Sequence, residues 1–454
     1  MRYLPHTEEE IQEMLKIIGV DSIDAIFQEV PENARRDGEI PLEPPLDEVS
    51  LMRHLEFLAN KNEGARFLSF LGGGCYHHHI PPVVDQLLLR NEFYTAYTPY
   101  QAEVSQGTLQ AIFEFQTIVC ELFGMDVANA SMYDVASATG EALLMARRVT
   151  GRPKAILSEA LHPDLIETCR TYVASSGMAV ETIGFAEDGC TDINALEGAL
   201  DSNTACVVVG YPNFFGVVEK LDAVVRRAHA WGALVVSVTH EPYALGVLEP
   251  PGHVGVDIAV GEGQPLAVPP SYGGPGVGLL GIRGDKEMIQ QLPGRLVGQT
   301  VDRQGQRAFV LTLSTREQHI RREKATSNIC TNHNLIALAM AIRTALLGKR
   351  GFVEVSRLCL AKTEYLKKRL LESKRFILPF SAPTFNEVTL RFLDGSAEDL
   401  IKEMASHGVL VGPPLSRWKR FQQGGHDSDF LLAVTERHSR AEIDRLVELL
   451  TSVE

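Results

Sequence analysis

The central part of the chain alternates short β-rich runs with amphipathic helical stretches. The candidate strands cover residues 155–157, 180–183, 206–209, 234–238, 257–260 and 277–282. Between them lie segments such as residues 221–231, which are long enough to form crossover helices. Parallel strands need connections of this length, so the pattern predicts a mainly parallel sheet with helices on both faces.

Helical periodicity continues on either side of these candidate strands. Residues 110–123 and 140–149 repeat apolar side chains at helical spacing and predict core helices. After Asn332 a long helical stretch leads into alternating strands and helices at residues 386–392, 397–406, 430–434 and 440–452. This change of character predicts a small α+β domain at the C-terminus.

The N-terminal segment has a pattern of its own. Thr7 and Glu10 form a capping-box signature, and the apolar repeat that follows stops at Gly19, which predicts a first helix. Residues 30–48 contain four prolines and many charges, so they predict an extended arm that lies against another subunit. The predicted organisation is a helix and arm over residues 1–60, a large α/β domain over 61–335 and a small domain over 336–454.

Composition and charge narrow the function classes. The 454 residues are 45% hydrophobic and 22% charged, as in ordinary globular proteins. A formal charge of -15 argues against a nucleic-acid partner, and the longest apolar runs fall short of the roughly 20 residues of a membrane helix. Seven scattered cysteines without CxxC spacing, and an N-terminus without signal or transit character, predict a reducing cytoplasm.

Two motifs resemble ligand sites but carry little weight. Residues 276–281 spell GxGxxG, yet they form a candidate strand instead of opening a helix, which disfavours a dinucleotide site. His77, His78 and His79 are adjacent, so their side chains diverge, and we predict no metal site there. Because they follow three consecutive glycines that allow close backbone approach, one of them is a better candidate for substrate or subunit contact.

For two polar segments the sequence is compatible with either a ligand-binding role or a purely structural one. One segment carries tyrosines at a spacing of three, at positions 94, 97 and 100, with a proline at position 99. These tyrosines are either half-buried packing residues or phenols presented to a ligand. Residues 321–332 mix cations with small hydroxyl and amide side chains. Such a segment binds a carboxylate or phosphate, or else is a solvated helix end.

Several long strings resemble one known family. They are FYTAYTPYQAEVSQG at 93–107, NASMYD at 129–134, YPNFFG at 211–216, GEGQPL at 261–266 and REKATSNIC at 322–330. Together they resemble the glycine cleavage system P-protein, or glycine decarboxylase, in its N-terminal half or separate first subunit. The resemblance covers essentially the whole chain. It implies a fold-type I PLP-dependent transferase fold, with a large mainly parallel sheet domain and a small C-terminal α+β domain.

The resemblance also implies a reaction and its partners. In the family, pyridoxal phosphate (PLP) acts as an electron sink while glycine loses carbon dioxide, and the aminomethyl group passes to the lipoyl arm of H-protein. Here Gln264 stands where the PLP-bearing subunit has its lysine, and Glu241 stands for the carboxylate that pairs with the pyridinium nitrogen. We therefore expect no covalently bound cofactor in this chain, and a PLP-bearing subunit 2 as partner in an α2β2 assembly.

Two other functions stay open at this point. One is a self-sufficient PLP-dependent decarboxylase or aminotransferase, which the missing lysine disfavours. The other is a non-catalytic regulatory subunit.

For the assembled enzyme we expect this chain to contribute side chains to the partner's active site or to the interface, without a complete catalytic set of its own. The expected contributors are His78, Tyr94, Tyr97, Tyr100 and Asn328. A phenol can orient the carboxylate of glycine without stabilising it as strongly as an arginine would, which suits a site that must favour decarboxylation.

Overall fold

The computed structural model describes residues 5–36, 38, 40–313, 316–325, 329, 331–422 and 424–452. Its contacts separate two units, Met1–Glu63 and Gly64–Glu454, and each is described by itself. Among the described residues, no helix combines the length and apolar character needed to cross a bilayer.

The described helices and strands account for most of the chain. The α-helices are α1 (Glu8–Ile18), α2 (Ile23–Ile26), α3 (Glu48–Asn60), α4 (Pro82–Leu88), α5 (Asn91–Tyr94), α6 (Gln106–Phe123), α7 (Val135–Thr150), α8 (Pro163–Val173), α9 (Ile193–Ala199), α10 (Leu221–Ala230), α11 (Pro251–Val254), α12 (Gln264–Ala267), α13 (Lys286–Gln291), α14 (Gln318–Arg321), α15 (Asn334–Glu372), α16 (Ala397–Ser406), α17 (Lys419–Gln422) and α18 (Arg440–Ser452). The strands are β1 (Leu68–Ser69), β2 (Val127–Ala128), β3 (Lys154–Ser158), β4 (Ala179–Ile183), β5 (Thr204–Gly210), β6 (Leu234–Thr239), β7 (Ile258–Glu262), β8 (Gly278–Ile282), β9 (Leu296–Val301), β10 (Arg307–Thr312), β11 (Phe376–Ile377), β12 (Glu387–Phe392), β13 (Val409–Leu410) and β14 (Asp429–Ala433).

A seven-stranded sheet in the order β2-β8-β7-β6-β5-β3-β4 forms the centre of the second unit. Neighbouring strands from β4 through β3, β5 and β6 to β7 pair in parallel, while β8 runs antiparallel to both β7 and β2. Every residue of β5 is buried, because helices cover both faces of a parallel sheet. The predicted mainly parallel α/β fold is confirmed.

The two faces of this sheet bury separate apolar clusters. One cluster joins sheet residues to α6, α10 and α15 through Phe115, Val224 and Ala337. The other joins the sheet to α7 and α8 through Leu143 and Leu165. The predicted core helices before the sheet are therefore present, and they pack on opposite faces.

The C-terminal part is built on the antiparallel strands β11, β12 and β14, with α16 and α18 packed against them. It follows the 39-residue helix α15, whose path breaks at Gly348, where φ is 61°. The predicted helices over residues 397–406 and 440–452 have these bounds in the structure. β1 pairs in parallel with β13, so a short strand near the start of the second unit joins the C-terminal part. The domain boundary at residue 335 stays a prediction.

The first unit begins as the sequence predicts. Thr7 caps α1 through a capping box with Glu10, and the helix ends at Gly19 in the left-handed conformation, with φ of 84°. Leu15 is buried, but α3 exposes most of its large apolar side chains to solvent. The exposed side chains on and just before α3 are Leu46, Val49, Leu51, Met52, Leu55, Phe57 and Leu58.

Candidate functional site

The carboxyl end of β7 holds the position where the resemblance places a PLP lysine in the partner subunit. β7 ends at Glu262, and α12 begins two residues later at Gln264. Gln264 is buried, and its side-chain amide donates to the carbonyl of Val268 at 2.5 Å. Ligands of open α/β sheets bind at this edge, so the local geometry tests whether a cofactor fits.

The Glu262 carboxylate occupies a set of backbone donors at this edge. It accepts hydrogen bonds from the backbone N–H groups of Val135 at 3.1 Å, Gln264 at 2.9 Å and Val277 at 2.8 Å. Val135 is the first residue of α7, and Asp134 caps that helix. Burial raises the pKa of Glu262 to about 7, although the three N–H donors act in the opposite direction.

These residues do not fit a covalently held PLP. An amide such as that of Gln264 cannot form an imine, which requires a deprotonatable amine. The helix N-terminus that would favour a phosphate already donates to the Glu262 carboxylate. Sequence reasoning singled out Gln264 but missed Glu262, which lies within the GEGQPL string without any spacing signal of its own.

Glu241, the second position that the resemblance assigns to a degenerate cofactor site, takes part in a buried ionic network. Its Oε2 lies 2.8 Å from Nε2 of His78 and accepts a hydrogen bond from the Asn386 side chain at 3.0 Å. The other ring nitrogen of His78, Nδ1, lies 2.6 Å from Oε2 of Glu436. His78 is 1% exposed, so the imidazole bridges two carboxylates away from solvent.

The electrostatics of this network favour a charged imidazole. Burial acts to lower the pKa of His78, but Glu241 and Glu436 raise it to about 9. Burial likewise acts to raise the pKa of Glu436, but its hydrogen bond and charge interaction with His78 lower that pKa to about 2. His78 therefore joins the loop after β1 to the end of β6 and to the C-terminal part as an imidazolium.

The placement of His78 bears on its predicted role. Both of its ring nitrogens are engaged within the chain, so its reach into a partner's site stays a prediction without geometric support. The Cys359 Sγ comes within 4.8 Å of ligand atoms of His78 and Glu436, a grouping that resembles a metal site. Direct hydrogen bonds between carboxylates and both ring nitrogens account for the close approach of His78 and Glu436 as an ion-pair network.

The phenol segment is presented at the surface. α5 ends at Tyr94, and residues 95–101 that follow are not helical, as the proline at position 99 predicts. The exposed fractions of Tyr94, Tyr97 and Tyr100 are 60%, 73% and 55%. Asn328, the remaining predicted contributor, lies outside the described residues.

Next to these phenols lies a mainly apolar cleft of about 170 Å³. It lies between the phenol segment, α6 and the first turns of α15. Its lining includes Phe93, Tyr94, Tyr97, Ile112, Asn334 and Leu338. The structure thus brings two of the predicted phenols to the edge of one cleft, whereas Tyr100 turns to Arg295, a residue that sequence reasoning missed.

The mainly parallel sheet with helices on both faces and the small C-terminal part form a fold-type I PLP-enzyme architecture. A solved sphingosine-1-phosphate lyase of Burkholderia pseudomallei matches it with a TM-score of 0.65 and 15% identity, over 91% of each chain. A solved glycine decarboxylase (P-protein) of the glycine cleavage system, in inhibitor-bound form, matches with a TM-score of 0.88 and 42% identity over 100% of both chains.

The sequence comparisons identify the family within this architecture. The family model for the glycine cleavage system P-protein matches residues 1–450, so the chain belongs to that family. A probable glycine dehydrogenase (decarboxylating) subunit 1 of Sorangium cellulosum is 56% identical over 98% of each chain. The protein of the same description from Geobacillus kaustophilus is 48% identical over 99% of this chain and 98% of its own.

Proposed function

We propose that this chain is the PLP-free subunit of a two-subunit glycine dehydrogenase (decarboxylating) of the glycine cleavage system. With a homologous PLP-bearing subunit it decarboxylates glycine and transfers the aminomethyl group to the lipoyl arm of H-protein. Support comes from the family membership and from relatives named as subunit 1. The PLP of the partner supplies the electron sink for decarboxylation, and this chain supplies surface and side chains.

The observation that carries the proposal is the occupied edge of β7. Gln264 cannot bind PLP covalently, and Glu262 already takes the N–H donors of Val135, Gln264 and Val277. A chain with this fold and without a cofactor site needs a partner that has one. The same observation disfavours a self-sufficient PLP decarboxylase or aminotransferase.

The first unit supports assembly with such a partner. Contiguous exposed apolar side chains on a helix mark a protein interface, and α3 carries several of them. We propose that α3 and the proline-rich residues 30–48 lie on neighbouring subunits in an α2β2 assembly. The described cysteines are free thiols, and we place this assembly in a reducing cytoplasm.

The exposed phenols are the proposed contribution to the partner's site. Tyr94, Tyr97 and Tyr100 are more than half exposed on a non-helical segment, where binding groups are often held. We propose that they donate hydrogen bonds to the carboxylate of glycine or approach the lipoyl arm. Neutral donors orient a carboxylate that must leave as carbon dioxide without strongly stabilising the ground state.

The cofactor part of the proposal is tested on the purified chain. The chain is incubated with PLP, treated with borohydride and analysed by mass spectrometry for a pyridoxyl adduct. We expect no stoichiometric adduct and no absorbance band above that of free PLP. A stoichiometric adduct on any lysine would show that this chain carries the cofactor itself.

The phenols are tested in the reconstituted complex by glycine–bicarbonate exchange. Tyr94→Phe, Tyr97→Phe and Tyr100→Phe are compared with Tyr365→Phe, whose hydroxyl bonds Asp444 in the C-terminal part. If a phenol contacts substrate or the lipoyl arm, removing its hydroxyl should lower the exchange rate at least about tenfold while assembly stays intact. This corresponds to roughly 1.4 kcal/mol of transition-state stabilisation. Parent rates in all three variants would assign the segment to the scaffold.

A further inference from the structure

Arg295 is a buried arginine whose side chain contacts Tyr100 of the exposed phenol segment. It is 5% exposed, and its Nη2 donates a hydrogen bond to the hydroxyl oxygen of Tyr100 at 3.1 Å. The guanidinium carbon lies 5.0 Å from the centre of the Tyr100 ring, within range of a cation–π contact. Nε of Arg295 lies 3.4 Å from Oε2 of Glu317. The guanidinium is thus held on two sides, and one of them is the phenol.

The backbone that carries Arg295 is fixed by the fold. Arg295 immediately precedes β9, and its carbonyl accepts a hydrogen bond from the N–H of Ala130 at 2.9 Å. Two residues later, the backbone of Val297 exchanges hydrogen bonds of 2.9 and 3.0 Å with the side-chain amide of Gln116 on α6. Because its base is anchored to two other elements, Arg295 is the fixed member of the pair and Tyr100 is the positioned one.

The charge of Arg295 is only partly balanced in this setting. Its Nη1 is buried and has no hydrogen-bond partner in the part of the chain that the structure describes. Its contact with Glu317 is a single one through Nε, not the bidentate pairing that arginine forms with a carboxylate at full strength. A positive charge therefore remains directly behind the phenol, and it favours an anionic group on the far side of that phenol.

We propose that Arg295 is a positioning residue that fixes Tyr100 as a hydrogen-bond donor to the carboxylate of the amino-acid substrate. The inference rests on the proposed function and deepens it by naming the group that Tyr100 addresses. Since the Arg295 N–H donates to the phenol oxygen, that oxygen acts as acceptor toward Arg295, and the phenol proton points elsewhere. The full charge stays one hydrogen bond away from the carboxylate, which is thereby oriented without a direct ion pair that would oppose its departure.

A double-mutant cycle in the reconstituted complex tests the coupling. The variants are Arg295→Lys, Tyr100→Phe and the pair, with glycine–bicarbonate exchange measured over a range of glycine concentrations. Lysine keeps the charge but lacks the planar fork, so it loses the geometry. We expect each single variant to lower kcat/KM about tenfold, mainly through KM for glycine. The double variant should have a kcat/KM no lower than that of the less active single variant.

Arg391→Lys is the matched control, because Arg391 forms two hydrogen bonds with Asp429 in the C-terminal part, away from the phenols. It should leave exchange unchanged. A second readout uses 3-fluorotyrosine at position 100 and fluorine NMR of the isolated chain. Arg295→Lys should shift or broaden this resonance, whereas Arg391→Lys should not, and this readout requires neither turnover nor the partner.

These experiments distinguish the positioning role of Arg295 from the proposed role of Tyr100 itself. Losses that multiply in the pair, together with an unchanged fluorine resonance, overturn the positioning role while leaving Tyr100 as a functional phenol. A parent rate for Tyr100→Phe together with a shifted resonance rejects the proposed role of the phenol, and positioning toward substrate is rejected with it. Circular dichroism and assembly are checked for every variant. Tyr100→Phe removes the hydroxyl that contacts Arg295 but leaves Arg295 itself unchanged, so it tests the contact without loss of the buried arginine.

Discussion

The pH dependence of stability tests whether Glu262 is a buried carboxyl group at the end of β7. Burial raises its pKa from the ordinary 4.5 to about 7. A rise of this size corresponds to about 3 kcal/mol between the two protonation states. Between pH 4.5 and 7 the folded chain binds the proton more tightly than the unfolded chain. Glu262 therefore lowers the free energy of unfolding as the pH rises through this window.

Glu262→Gln removes this titration and keeps the shape of the side chain. Relative to the parent, the free energy of unfolding of the variant should rise by about 2–3 kcal/mol from pH 5 to pH 8, because the parent loses the stabilisation of its protonated Glu262 over this range. The constant cost of turning an amide N–H₂ toward a backbone donor cancels in this difference. The measurement is urea unfolding of the parent and variant at several pH values and at constant ionic strength.

Glu287→Gln, at an exposed position in the first turn of α13, controls for the loss of one negative charge. It should show less than about 0.5 kcal/mol of change over the same range, as surface substitutions usually do. If the difference between Glu262→Gln and parent stays flat with pH, the carboxylate does not titrate in a buried site. The proposal that a buried Glu262 occupies the edge of β7 in place of a cofactor would then be wrong.

Three further predictions concern the buried network, the cofactor edge and the arm. His78→Ala should lower the free energy of unfolding by about 3–5 kcal/mol at pH 7, since it removes the cation that Glu241 and Glu436 share. In the parent this stabilisation is complete below pH 6.5 and fades as the pH approaches 9, so denaturation should show a larger difference between parent and variant at pH 6 than at pH 10. Gln264→Lys alone should remain colourless with PLP, because Glu262 still fills the adjacent donors; a reducible adduct would contradict this. Deleting residues 30–48 should weaken heteromer formation in sedimentation experiments without changing the circular dichroism; equal association would make the arm a surface loop.

Local elements could be predicted from the sequence because their signals are local. The capping box at Thr7, the helices over residues 397–406 and 440–452, and six of the seven strands of the central sheet all depend on nearby residues and periodicity. β1 and β13 escaped prediction because two-residue strands show no period. The hairpin of β9 and β10 was also missed, although Gly305, with φ of 79°, gives a turn signal.

The site contacts were not predictable because they join distant positions. Glu262 receives its hydrogen bond from Val135 across 127 residues, and Arg295 reaches Tyr100 across 195 residues. Only the topology of the sheet brings these pairs together, and neither carboxylate nor guanidinium belongs to a motif that names its partner. The resemblance indicated which positions had changed, such as Gln264, whereas the structure shows what the neighbouring side chains do instead.

We propose above that this chain is a subunit that works only with a PLP-bearing partner. The most direct measurement is glycine–bicarbonate exchange by the purified chain, with PLP and lipoylated H-protein present, before and after addition of the homologous PLP-bearing subunit. We expect no exchange by the chain alone and full exchange once the partner is added. If the chain alone catalyses exchange, or if the partner is equally active without this chain, the proposed function is wrong.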